Sequence, residues 1–227
     1  MYNKKIKCIG FIPIKKNSKR LLNKNFLNFN KKKLYQHFIN EVKKSNLDDI
    51  YVNSDSKEVK NWCKKKKIKF IDRPEYLSRD NANGNDLLIY DSNKIFADIY
   101  FQLFVTAPNL KYQTINRSIK ILKKTKKYDS LFTAEKIFSW FWFKNKPVNY
   151  DPGKLPRSQD AEPVIKETTG LYAIRNKALK NLKCRIGKKP YILFVDKVEA
   201  IDIDDEYDYE IAKKLNEKKN FNKSQKL

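Results

Sequence analysis

Glycine, cysteine and histidine are scarce in this chain: five, three and one in 227 residues, and each shortage excludes something. No glycine lies between Ile12 and Phe26, so a left-handed backbone position there falls to asparagine, with Asn17 the expected one. Cys8, Cys63 and Cys184 are scattered and odd in number. They form no disulfide framework and no metal-ligand spacing, and they point to reduced thiols in a cytoplasmic protein. The lone histidine, His37, sits in a helical apolar pattern with Leu34, Tyr35, Phe38, Ile39 and Val42, so it reads as packing, against histidine acid–base chemistry. No apolar run reaches the length of a membrane-spanning helix and no signal-peptide pattern is present, so membrane insertion is not expected. Arginine is short too, at seven of 50 cations. Nucleic-acid readers lean on arginine for forked contacts. The net charge of +24 therefore reads as a lysine, asparagine and isoleucine usage bias. It draws anionic substrates but does not argue for a nucleic-acid partner.

What is present concentrates near the two ends. An apolar strand, Lys7 to Ile14, runs into a loop with Lys15, Lys16, Lys19, Arg20 and Lys24, interleaved with Asn17, Ser18, Asn23 and Asn25. A loop leaving the carboxyl end of a first parallel strand is where open α/β sheets bind ligands. Ammonium groups and small hydrogen-bonding side chains there make a polyphosphate cradle, although a solvated basic loop has the same composition. At the far end, Asp202 and Asp204 close an apolar run, Val198 to Ile203, and on a strand they would point to one side. Two such carboxylates suit Mg²⁺, which takes a few carboxylates plus substrate phosphates. Asp205 reads instead as the cap of a helix over Glu206 to Leu215. Basic loop and carboxylate pair together imply metal-assisted phosphoryl or nucleotidyl transfer.

Between them, strand and helix patterns alternate. Helices are expected over Lys33–Ser45, Lys57–Lys67, Asn85–Ala97 and Thr114–Lys126. Strands are expected over Asp49–Asn53, Ile68–Ile71, Ile99–Val105, Ser130–Glu135, Val164–Ile174, Pro190–Val195 and Val198–Ile203. This order predicts an α/β fold, a doubly wound sheet with helices on both sides. Residues 1–217 read as one domain and 218–227 as a flexible tail. Phe138 to Asp160, dense in aromatics and then in proline, reads as an excursion lining the cleft or packing on a partner subunit.

Read in order, these segments resemble the acylneuraminate cytidylyltransferases (CMP-sialic acid synthetases) and the related CMP-KDO synthetases, over roughly Ile6 to Leu215. IPIKKNSKRLLNKNF resembles the family's nucleotide loop, with Ser18, Lys19, Leu21, Lys24 and Asn25 matching, while Lys15 replaces an arginine and Ile14 an alanine. YVNSDS (Tyr51–Ser56) is similar to a strand ending in Ser-Thr-Asp, and RPEYLSRDNAN (Arg73–Asn83) to Arg-Pro-x-x-Leu-x-x-Asp-x-Ala. Thr106 and Pro108 match Gln-Pro-Thr-Ser-Pro, RSQDAEP matches Arg-x-Gln-Asp-x-x-Pro, and AIDIDDEYD matches Ser-Ile-Asp-Ile-Asp-x-x-x-Asp.

The resemblance implies a three-layer, Rossmann-like nucleotidyltransferase domain, usually a homodimer, with a small dimerisation extension at 138–160. It implies CTP over the first loop, with Lys15, Lys19 and Lys24 neutralising phosphates and acting as the catalytic cations. Asn17, Ser18, Asn25, Arg73 and Asn83 would be further nucleotide contacts. Asp202 and Asp204 would hold Mg²⁺. Thr106, Arg157 and Gln159 would meet an acidic sugar, with Arg157 gripping its carboxylate. Some positions depart from the pattern, chiefly on the sugar side. Phe104 and Val105 stand where Gln-Pro is usual, and SWFWF (Ser139–Phe143) replaces a His-Pro stretch. A non-sugar acid such as a phosphonate is the alternative acceptor. Asp55 reads as a helix cap, Asp80 as either a cap or a nucleotide contact, and Glu167 as either a lysine partner or an acceptor contact. Two other classes compete. Asp202-Ile-Asp204 superficially resembles the Asp-x-Asp of metal-dependent glycosyltransferases, though that motif normally follows a mid-chain strand. A nucleic-acid binder would show steep salt dependence on any duplex.

Overall fold

The computed structural model describes residues 5–224, with side chains through residue 217. β1 (Cys8–Ile14) is followed by the basic loop, a 3-10 turn at Lys24–Phe26, and a ribbon of β2 (Asn28–Phe29) and β3 (Lys32–Lys33). α1 (Leu34–Val42), β4 (Asp49–Ser54), α2 (Lys57–Lys65), β5 (Lys69–Asp72), α3 (Gly84–Lys94), β6 (Ile99–Leu103), α4 (Tyr112–Lys124) and β7 (Ser130–Ile137) continue the alternation. A hairpin of β8 (Trp142–Phe143) and β9 (Lys146–Pro147) precedes β10 (Val164–Arg175), α5 (Asn176–Leu182), β11 (Pro190–Phe194) and α6 (Glu206–Ser224).

Seven strands make one sheet in the order β11-β7-β10-β6-β1-β4-β5. Neighbours are parallel except at β10, which is antiparallel to both β6 and β7. Alternation along β1 sends Cys8, Ile12 and Ile14 to one face, and Ile9 and Phe11 to the other. The first face is covered by α1, α2, α4 and α6 through Leu34, Val59, Ile115 and Ala212. The second is covered by α3 and α5 through Leu88 and Leu179. These side chains are almost fully buried, each contributing about 1.5–3 kcal/mol for the larger ones. The expected three-layer, doubly wound architecture is present. Because the order runs outward from β1 in both directions, a topological switch point falls between β1 and β6, and loops leaving their carboxyl ends frame a crevice.

Three expectations are corrected. Val198–Ile203 is not a strand: Asp196 winds it into a turn, accepting the Glu199 N–H on its side chain and the Ala200 N–H on its carbonyl. Lys111 then fixes the turn from outside, pairing with Asp196 at 2.5 Å and Glu199 at 3.3 Å. Local side-chain bonding has outcompeted the apolar pattern. Asp202 and Asp204 therefore owe their positions to this turn and not to strand alternation. α5 was not expected. Where a helix to Leu215 was expected, α6 continues to Ser224; of the expected tail, 225–227 lie outside the described residues.

The excursion forms the β8–β9 hairpin, whose two turn residues, Lys144 and Asn145, both have positive φ, as tight hairpin turns require. Its aromatics do not enter the core: Trp142 and Phe143 are 61% and 67% exposed, too open for packing within this chain.

Candidate active site

The basic loop is held at the carboxyl edge of β1 by its own buried residues. Asn23, at φ 53°, makes the left-handed turn expected at Asn17 and starts the 3-10 turn of Lys24, Asn25 and Phe26. Asn25 is buried and donates its side-chain N–H to the Lys15 carbonyl at 2.9 Å, closing the loop on itself. Asp55 accepts the Lys16 main-chain N–H at 2.7 Å. It is not the expected cap, since Ser56 does that work for α2 by accepting from Val59. Asn17 and Lys19 are exposed and Ser18 half-exposed along the loop's outer rim.

The acidic segment from the other end of the chain docks onto this loop. Lys24 is buried, and its ammonium donates to the Ile203 carbonyl at 2.5 Å and to Asp204 Oδ1 at 3.2 Å. Arg20 takes the other Asp204 oxygen at 2.7 Å. The Ile203 N–H donates to the Thr106 carbonyl at 2.7 Å, stitching the segment to the loop after β6. Asp205 caps α6 as expected, accepting the Asp208 N–H, while Asp208 accepts back from Asp204 and Asp205. Asp202 is different. Its Oδ1 is buried and has no hydrogen-bond partner among the described residues. Asp202 and Asp204 line a cavity of about 390 Å³ together with Glu167, Thr168 and Lys197. Glu167 lies where β10 slips register against β7, a bulge that re-aims side chains beside the crevice. It accepts the Tyr172 hydroxyl at 3.0 Å, while Lys166 pairs with Glu135.

Other expected site residues are otherwise engaged. Lys15 and Lys19 both grip Asp80, at 3.0 and 2.6 Å, so Asp80 is neither a cap nor free. Those two lysines, Lys19 foremost, hold its carboxyl below the usual range. Asn83 is the cap of α3, its side-chain Oδ1 accepting from the main-chain N–H groups of Asn85 and Asp86. Arg73 is buried and donates to the Asn53 side chain and carbonyl at 2.7 and 3.0 Å. Arg157 is exposed on the extension and paired with Asp160 at 2.5 Å; neither it nor Gln159 is among the residues lining the cavity. Arg20 was counted only as loop charge, and its carboxylate partner left no local sequence signal.

Asn53 also donates to Asp91 at 2.6 Å. Burial pushes Asp91 up to about 7, against the Asn53 hydrogen bond and the charges of Arg73 and Lys94. An unfolded aspartate titrates near ~4, so the folded state holds a proton that the unfolded state loses across that interval. Stability is then full below about pH 4 and falls by on the order of 4 kcal/mol as pH rises through about 7. Asp91→Asn is expected to flatten this slope. Melting temperatures at pH 5 and pH 8 would converge; an unchanged gap assigns the proton elsewhere.

The family model described as cytidylyltransferase matches residues 9–227. The chain belongs to the cytidylyltransferase family. It is 26% identical over 236 residues to the N-acylneuraminate cytidylyltransferase of Escherichia coli O18:K1:H7, covering 94% of this chain and 53% of that protein. A Helicobacter pylori protein described as pseudaminic acid cytidylyltransferase and UDP-2,4-diacetamido-2,4,6-trideoxy-beta-L-altropyranose hydrolase is 23% identical over 208 residues, covering 87% and 40%. The cytidylyltransferase chain thus spans about half, or less, of the length of these curated relatives. Among solved structures, CMP:2-keto-3-deoxy-manno-octonic acid synthetase complexed with CTP superposes with a TM-score of 0.71 at 18% identity, covering 94% of this chain and 99% of that one. That likeness concerns the fold. No described helix is long and apolar enough to cross a membrane.

Proposed function

We propose that this chain transfers CMP from CTP to a hydroxyl of an acidic sugar and releases pyrophosphate. The observation that carries the reading is the junction of Lys24 with Ile203 and Asp204, which brings the basic loop and the acidic segment into direct contact at the carboxyl edge of the sheet. The names of its relatives, which act on acylneuraminate and pseudaminic acid, support the substrate class. An acceptor oxygen attacks the α-phosphorus in line, and the bond to the bridging oxygen of pyrophosphate breaks. Lys15 and Lys19 exchange Asp80 for phosphate oxygens, Lys24 offers a donor not used by Ile203 or Asp204, and Ser18 and Asn17 donate from the rim. The chain's work is positioning and charge neutralisation.

The acidic lip fits Mg²⁺. Among the described residues a buried carboxylate oxygen of Asp202 lacks a donor. Mg²⁺ typically takes one or two carboxylates and completes its shell with phosphate and water. Asp202 and Asp204 would hold it, and when bound it would supply charge neutralisation on the phosphates.

Pyrophosphate release from CTP, followed across sialic, legionaminic, pseudaminic and KDO-type acids, tests the reading. Silence with all four would remove the sugar, and turnover with a phosphonate alone would replace it. The exposed Trp142 and Phe143 fit burial against a second copy of the chain. Light scattering at micromolar concentration should give twice the 27.0 kDa chain mass, and Trp142→Asp should return it to one; a wild-type monomer would refute the pairing. Cys8 and Cys63 are free, and burial pushes them to about 11 and 12, inert thiols that suit a cytoplasmic setting.

A further inference from the structure

Arg185 is a half-buried cation that pairs with no carboxylate among the described residues. Its guanidinium stacks 3.8 Å from the centre of the Tyr172 ring and 5.5 Å from that of Phe104. Its main-chain N–H is anchored on Asn85 at 2.9 Å. The guanidinium lies directly over Gly84, the first residue of α3, where any Cβ would collide with its Nη1. Gln102 Oε1 approaches the same point, 3.4 Å from that Cβ position. Gln102 is 1% exposed, its Nε2 donates to the Gly84 carbonyl at 2.7 Å, and its Oε1 has no donor. One small region therefore gathers an unpaired guanidinium, the N-terminus of an eleven-residue helix and an orphaned amide oxygen.

This region adjoins the acidic lip. The ring under Arg185 carries the hydroxyl that Glu167 accepts. Burial pushes the Tyr172 phenol to about 12; Arg185 opposes that rise, while Glu167 and Asp202 add to it. Guanidinium and the Glu167 carboxylate thus meet at one phenol, from its face and its hydroxyl. Stacking on ring faces leaves the N–H edges of a guanidinium open, the arrangement that receives a planar carboxylate through two parallel hydrogen bonds. The helix N-terminus beneath adds positive potential. Phe104 and Tyr172 supply apolar walls, and Gln102 Oε1 can accept from a hydroxyl or amide N–H.

We propose that Arg185, seated by Gly84 and lying over Tyr172 with Phe104 beside it, is the group that grips the carboxylate of the acceptor, in place of the exposed Arg157. The assignment rests on the cytidylyltransferase reading above and names the acceptor's handle: a carboxylate beside a hydrogen-bond donor and an apolar substituent. Gly84 is a positioning residue, since it touches only Arg185 and Gln102 here.

The test uses the intact protein, CTP with Mg²⁺, and the four 2-keto sugar acids. Arg185→Met is expected to raise KM for the acid by about 100-fold. CTP affinity, measured by calorimetry, should not change, which also reports that the variant is folded. Arg185→Lys should recover part of the loss, keeping the charge without the fork. Gly84→Ala should melt no lower than wild type, alanine being the better helix former, yet raise the same KM by displacing the guanidinium. Unchanged KM in Arg185→Met and Gly84→Ala overturns the assignment, as does a parallel loss of CTP binding. Failure of the functional reading looks different. Wild-type protein that binds CTP but consumes none of the acids refutes the acceptor class, and the Arg185 assignment falls with it.

Discussion

Lys24→Met is expected to lower kcat by about 100- to 1,000-fold, the cost of removing one preorganised donor from a developing charge. It should also destabilise the fold by about 1–3 kcal/mol, because the Ile203 carbonyl loses its donor in a buried setting. Both effects come from one ammonium with three N–H groups, of which Ile203 and Asp204 use two. The two roles separate experimentally. A variant that melts lower yet keeps wild-type kcat would make Lys24 a brace between the loop and the acidic segment. Loss of kcat at temperatures far below melting makes it a phosphate ligand. Asp204 stays neutralised by Arg20 in the variant, so its charge is not what the experiment reads.

Asp202→Asn should separate activity from stability in the opposite direction. The carboxylate has a buried oxygen with no donor among the described residues. An isosteric amide removes the charge, so melting should be unchanged or higher. The Mg²⁺ concentration for half-maximal rate should rise by about 100-fold or more, since even partners one shell removed from a metal typically cost about 10- to 100-fold. A variant with lower melting and an unaltered Mg²⁺ curve would show that Asp202 serves the turn and not the metal.

The sheet was legible because β1, β6 and the Leu171–Ile174 half of β10 are largely apolar on both faces, a pattern composition bias does not erase. The meeting of the basic loop with Asp204 was legible too, since opposite charges at the ends of apolar segments have few other places to go in a doubly wound sheet. Other features needed coordinates. The segment before Asp202 looks like a strand, and only the capture of two N–H groups by Asp196 makes it a turn. Asp55 and Ser56 are both capping residues in sequence; their one-residue offset decides which faces the helix and which faces Lys16. Arg73 and Asn83 sit in family-like motifs but face Asn53 and the α3 backbone. Arg185 lies among scattered lysines in a basic chain, with nothing around it to set it apart until Tyr172 comes under it from another strand.

The grip of Lys15 and Lys19 on Asp80 has a consequence for which anions can settle there. Between turnovers the two ammoniums are not bare; a tethered carboxylate sits between them. A newcomer must displace a monovalent competitor that cannot diffuse away. Inorganic phosphate or a carboxylate gains little by that exchange, whereas a nucleoside triphosphate brings enough charge density to win it. On the proposed function, the loop would thereby favour a triphosphate tail over anions of lower charge.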